Sequence, residues 1–133
     1  MQIADANYLL RYILNDVEEQ ANAAKAVLDS STVLIPIEVL IETVYVLAGV
    51  YQVPRAEITG QIKELIYDID PNIVDFESVL LGLDYYAETK LDFVDCMLAA
   101  YSSIKDATIL TFDKKLQKFI ENDAKHRSHR KNI

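Results

Sequence analysis

The chain has 133 residues, of which 51% are hydrophobic and 26% charged. That is one domain's worth of ordinary globular sequence, which argues against a disordered or fibrous protein. Thirteen Lys and Arg stand against 21 Asp and Glu, a net charge of −8. Residues 124–133 hold Lys125, Arg127, Arg130 and Lys131 and no acid, which leaves nine bases against 21 acids elsewhere, a net of −12. A body this acidic is a poor fit for simple nucleic-acid binding, but it can attract divalent cations or basic partners.

No apolar run approaches the ~20 residues of a bilayer span, so no membrane association is expected. The sequence reaches Asp5 too soon for a secretory leader. The lone Cys96 has no internal partner, which fits a reducing, cytoplasmic setting.

In chain order, Met1 to Ala4 is brief and apolar, and Ala6 to Leu14 has helical spacing with Leu9, Leu10, Ile13 and Leu14 on one face. Asp16 is placed to cap a second helix through about Leu28. Thr32 to Ile35 reads as a buried parallel strand ended by Pro36. Ile37 to Val50 reads as an apolar helix containing Glu38 and Glu42. Arg55 to Tyr67 is amphipathic, with Ile58, Ile62, Leu65 and Ile66 inward. Ile73 to Phe76 reads as a short strand, Glu77 to Thr89 as a helix, and Phe93 to Ser103 as a helix capped by Asp92. Thr108 to Phe112 carries a second buried-strand pattern, followed by Asp113 and a Lys-rich helix through about Ile120. Alternating strands and helices predict an α/β fold with a parallel sheet. The expected division is a domain over 1–121 and a frayed, basic polar tail over 122–133.

The acids are the informative residues. Asp5 and Asp113 follow strand patterns, where open α/β sheets bind ligands. Asp92 and Asp95 share one side of a helix start. Glu42 is flanked by Val39, Leu40, Ile41, Val44, Tyr45 and Val46, so it is expected to be paired, metal-bound or at a cleft, or else on a narrow solvated stripe with Glu38. Each aspartate can also be read as a helix cap. Gathered together, these carboxylates would need a compensating cation. Hard oxygen donors without His or Cys suit Mg²⁺, with Mn²⁺ the other choice, and such an ion activates water against a phosphodiester. Arg11, Lys114, Lys115 and Lys118 are candidate phosphate contacts. Their plainer reading is a solvated helix face, and His126 and His129 read as solvated among neighbouring bases. Cys96 reads as packed core, and Tyr8 and Tyr12 share a helix face.

Four blocks resemble the PIN-domain nucleases, and within them the VapC-like toxin ribonucleases. Ala4 to Tyr12, ADANYLLRY, is similar to the family's D-T-N-x-L-L-R opening, with Ala6 in place of the usual Thr. Pro36 to Leu47, PIEVLIETVYVL, resembles the second block, whose acid maps to Glu42. Leu91 to Ala100, LDFVDCMLAA, resembles D-F-x-D-x-L-x-A-A, with Asp95 as its principal acid and Asp92 as a more variable one. Thr108 to Asp113, TILTFD, resembles the final strand and its T-x-D ending.

The resemblance implies a three-layer α/β/α sandwich around a short parallel sheet and a Mg²⁺-dependent single-strand ribonuclease. Asp5, Glu42 and Asp95 would hold the metal, Asp113 would complete the site directly or through water, and Asp92 would be a further ligand. Asn7 and Thr111 would orient carboxylates or water. It also implies an RNA substrate, an antitoxin that wraps the toxin and obstructs its site, and a homodimer. The other reading of the same residues is a PIN-like binding or regulatory module without turnover. A phosphoaspartyl phosphatase is disfavoured because Asn7, not an aspartate, stands two residues after Asp5.

Overall fold

The computed structural model describes residues 1–30, 32–68, 71–72 and 75–131. They form two compact units that divide between Phe76 and Glu77.

The first unit holds a small parallel sheet of strands β1 (Gln2–Ile3), β2 (Val33–Leu34) and β3 (Pro71–Asn72), in the order β1-β2-β3. Gln2 pairs with Val33 and Ile3 with Leu34, and the ladder ends where the Ala4 amide donates to the Leu34 carbonyl. Parallel neighbours need long crossovers, and helices supply them. Helices α1 (Ala6–Leu14) and α2 (Glu18–Leu28) link β1 to β2, and α3 (Ile37–Gly49) and α4 (Arg55–Asp68) link β2 to β3. Strands β1 and β2 are short because each is followed by chemistry suited to a helix start. Asp5 caps α1 after β1, and Pro36, with φ −62°, stands at the N-cap of α3 two residues past β2. α1 packs against α2, α3 and α4. Leu9, Leu28, Ile35, Leu40, Leu47, Ile58, Ile62 and Leu65 are fully buried.

Several expectations change here. Asp16 does not cap α2, whose N-cap Val17 makes no side-chain cap bond. Asp16 is drawn instead to Arg11, one helix turn before the loop, at 2.8 Å. The strand expected over Ile73 to Phe76 is displaced: the ladder uses Pro71 and Asn72, Asp75 lies in a turn and Phe76 opens a helix. Ile73 and Val74 lie outside the described residues. α1 ends at Asn15, which takes the left-handed conformation (φ 53°) that asparagine tolerates better than most residues.

The second unit is helical, with α5 (Phe76–Glu88), α6 (Phe93–Lys105) and α7 (Lys114–Lys131). Tyr86 meets Phe93 edge-on across α5 and α6, and Tyr85 meets Phe119 likewise across α5 and α7. Gly82 lets α5 approach Met97 closely: a Cβ there would lie 2.5 Å from the Met97 sulfur. Cys96 is buried, as expected of core, with Sγ 3.6 Å from the Leu91 carbonyl.

Two expectations fail in this unit. Thr108 to Phe112 forms no strand, and Leu110 and Phe112 are 92% and 102% exposed. The frayed tail is also wrong, because α7 continues unbroken to Lys131. Residues 114–131 contain no Gly or Pro and many helix formers. Arg127 pins the far part of α7 by donating to Asp123 at 3.0 Å and to the Ser103 carbonyl of α6 at 3.3 Å. The side chain of His129 is outside the described residues.

Among the described residues no helix is long and apolar enough to cross a membrane. The chain is thus α/β, mostly helical, with a short parallel sheet.

Candidate functional site

Three candidate acids close helix starts. Asp5 accepts the Tyr8 amide at 2.8 Å. Asp92 accepts the Asp95 amide at 2.9 Å. Asp113 accepts the amides of Lys115 and Leu116 at 2.9 and 3.2 Å, while its own amide donates to Thr111 Oγ1 at 3.0 Å. In each case the named bonds use Oδ1, so the capping reading and a ligand role do not exclude each other.

The second unit brings Asp92, Asp95 and Asp113 within electrostatic reach of one another. The Asp95 carboxyl is held above the usual carboxylate range, first by burial and then by the negative charges of Asp92 and Asp113. Asp95 is half-buried on the first turn of α6, with no cation paired to it among the described residues. Thr111 is half-buried in the loop before α7, and its carbonyl accepts from Gln117 Nε2 at 2.6 Å. Ser102, Thr108, Thr111, Gln117 and Glu121 line a cleft of about 290 Å³ alongside.

Asp5 and Glu42 belong to the first unit. Asp5 lies on the rim of a cavity of about 400 Å³, with Gln2, Ile3, Ala4, Tyr8, Val27 and Val33. Glu42 is exposed, although its sequence neighbours are apolar. Leu40, Thr43, Val44 and Leu47 form the buried face of α3, and Glu38, Glu42 and Tyr45 form an exposed stripe, so the stripe alternative describes Glu42 better than a buried or paired carboxylate. Asn7 is exposed on α1.

Arg11, a candidate phosphate contact by sequence, is engaged within its own unit. Its guanidinium donates to Asp16 at 2.8 Å and to the Tyr51 hydroxyl at 3.0 Å, and its side chain is 13% exposed. Lys114, Lys115 and Lys118 are exposed at the start of α7. Tyr8 and Tyr12 both bond to α2 or its C-cap, Tyr8 to the Ala23 carbonyl and Tyr12 to Asp29.

Among the described residues no three His, Cys, Asp or Glu side chains are grouped so as to hold a metal ion. The chemistry of the donor set nevertheless fits a hard divalent cation: the second unit offers carboxylates around Asp95, the thiol of neighbouring Cys96 is buried against the Leu91 carbonyl, and the repulsion felt by Asp95 is what such a cation relieves. Sequence reasoning misses Phe112. Its pattern places it in a buried strand, yet it stands fully exposed immediately before Asp113.

A family model described as PIN domain matches residues 3–122. The chain belongs to the PIN domain family, a nuclease-type fold whose members typically use divalent metal ions. Neither a curated protein nor a solved structure matches the chain.

Proposed function

We propose that the chain is a Mg²⁺-dependent endoribonuclease that hydrolyses phosphodiester bonds of single-stranded or looped RNA, and that it is the toxin of a type II toxin–antitoxin pair. The observation that carries this reading is the half-buried Asp95, unpaired by any cation among the described residues and repelled by Asp92 and Asp113, inside the matched family segment. In the second unit, Asp95 would be the ion's ligand, with Asp92 a further one and Asp113 completing the site directly or through water. Asp5 and Glu42 are the ligands assigned in the first unit by the family blocks, and both are solvent-accessible. Mn²⁺ is the other ion that this donor set suits.

When bound, the ion lowers the pKa of a water and polarises a phosphoryl oxygen. The chain's own residues supply the rest. The helix caps fix Asp92 and Asp113 in place, and Thr111 holds the backbone of Asp113. The reading carries with it the family's three-layer sandwich, an antitoxin that obstructs the site, a homodimer and a cytoplasmic setting.

The decisive experiment is cleavage of single-stranded and hairpin RNAs with Mg²⁺ or with EDTA, for the wild type and Asp95→Asn. Cleavage by the wild type in Mg²⁺ alone, and none by a folded Asp95→Asn, is the expected result. Full activity in Asp95→Asn would exclude the site. A wild type that binds RNA but cuts none in Mg²⁺ or Mn²⁺ would identify a binding module instead. Co-purification with the product of a neighbouring small gene tests the toxin role, and light scattering tests the dimer.

A further inference from the structure

We infer that the exposed face of α7, with Phe112 at its head, is a track for the backbone of single-stranded RNA leading away from Asp113. For the identity of the polymer this rests on the nuclease reading; the surface itself is argued from the helix.

α7 is amphipathic in an unusual sense. Leu116 is buried and Phe119, Ile120, Asp123 and Arg127 are half-buried, which defines the packed side. The opposite side displays Lys114, Lys118 and Lys125, with Lys115 and His126 on its flank, all exposed. At 3.6 residues per turn, Lys114, Lys118 and Lys125 fall within about 40° of one another, and they span about 17 Å along the axis. Glu121, about 20° from Lys114 and between Lys118 and Lys125 along the axis, is the one acid in this row among the described residues.

The described residues place no carboxylate in ion-pair contact with Lys114, Lys115, Lys118 or Lys125, whereas Arg127 on the packed side is paired with Asp123. The rest of the chain is strongly acidic, so this stripe is the surface suited to a polyanion. Because α7 is continuous, these charges stand in a fixed row and not on a loose tail.

A second, independent observation points to a nucleic acid in particular. Leu110 and Phe112 are fully exposed just before the helix, on a segment that makes no strand. An exposed aromatic beside a row of cations is the combination that holds single strands, the ring stacking on a base and the cations following the phosphates. A protein partner for the same face is the competing occupant, and the test separates the two.

The probe is a fluorescein-labelled 15-nucleotide oligouridylate, titrated with the full chain in EDTA, so that binding is read without cleavage. The triple variant Lys114→Gln, Lys118→Gln, Lys125→Gln keeps good helix formers at exposed positions. It should bind at least tenfold more weakly, with the slope of log K against log salt shallower by about 2, at ~0.7 for each phosphate that is no longer neutralised. Phe112→Ala should weaken binding about tenfold with the slope unchanged, because stacking releases no counterions. The corresponding Lys→Arg triple should restore both affinity and slope. Unchanged affinity and slope in the Gln triple, or no binding by the wild type, would overturn the track and leave the face to a protein. Wild-type cleavage in Mg²⁺ is measured separately: binding through α7 without cleavage would keep the track while the nuclease reading fails.

Discussion

Asp113 is asked to do two things, and two substitutions separate them. Its Oδ1 accepts the amides of Lys115 and Leu116, which closes the start of α7. Alanine removes that cap, at a cost of about 1 kcal/mol. For 133 residues, with an unfolding entropy near 2.1 cal/mol/K per residue, this corresponds to a fall in melting temperature of about 4 °C. Asparagine caps about as well as aspartate, so Asp113→Asn should melt close to the wild type. It surrenders some favourable interaction with the helix dipole, and it also relieves part of the repulsion on Asp95. Catalysis should rank the variants differently. If Asp113 helps hold the ion, directly or through water, Asp113→Asn should lose about 10- to 100-fold in Mg²⁺-dependent RNA cleavage. Circular dichroism melts and initial cleavage rates on the same preparations provide the comparison. Undiminished cleavage by Asp113→Asn would reduce Asp113 to a cap. Equal melting losses in the two variants would refute the capping argument.

Three further outcomes are expected. The native carboxyl of Asp95 sits above its unfolded value, so its contribution to stability is fully present below the unfolded carboxylate range and is lost as pH rises through the native value. Asp95→Asn should therefore gain in urea midpoint over the wild type as pH rises from 4 to 8, and a pH-independent gap would contradict this; Mg²⁺ should raise the melting temperature of the wild type and leave Asp95→Asn unmoved. Tyr85 is pushed up to about 12 by burial and by its 2.9 Å bond to Asp123, so it stabilises the fold below the unfolded tyrosine range and loses that contribution as pH climbs toward 12. Tyr85→Phe should cost about 1 kcal/mol at pH 8 and less at pH 11, read from urea midpoints at each pH. Leu9→Ala, at a fully buried position of α1, should cost about 2–5 kcal/mol by the same denaturation assay.

Much of the helical framework is legible in the sequence because its signals are local. The inward faces of α1 and α4, the Asp92 cap of α6 and the Pro36 stop before α3 all lie within a few residues of the structure they dictate. What depends on partners is not. Asp16 reads as a cap until Arg11, five residues back, takes it as an ion pair. Thr108 to Phe112 has the composition of a buried strand, but a strand exists only where a neighbour accepts its backbone, and composition does not reveal that neighbour. The end of α7 is polar enough to suggest fraying. Its anchor, Arg127 on the Ser103 carbonyl, arises from packing.

The acids divide in the same way. Their positions at helix starts are readable from spacing. The exposure of Glu42 and the charge coupling centred on Asp95 require the fold.

The caps at Asp92 and Asp113 have a thermodynamic consequence for the cation proposed in the second unit. A flexible carboxylate surrenders rotational freedom when it closes on an ion, which weakens association. Here that immobilisation has already occurred during folding, because each side chain is tethered to amides of the following helix. The partial positive charge of those helix ends also lets the anions wait without a counterion. Under the proposed metal role, an ion that departs would leave these two carboxylates oriented for the next one.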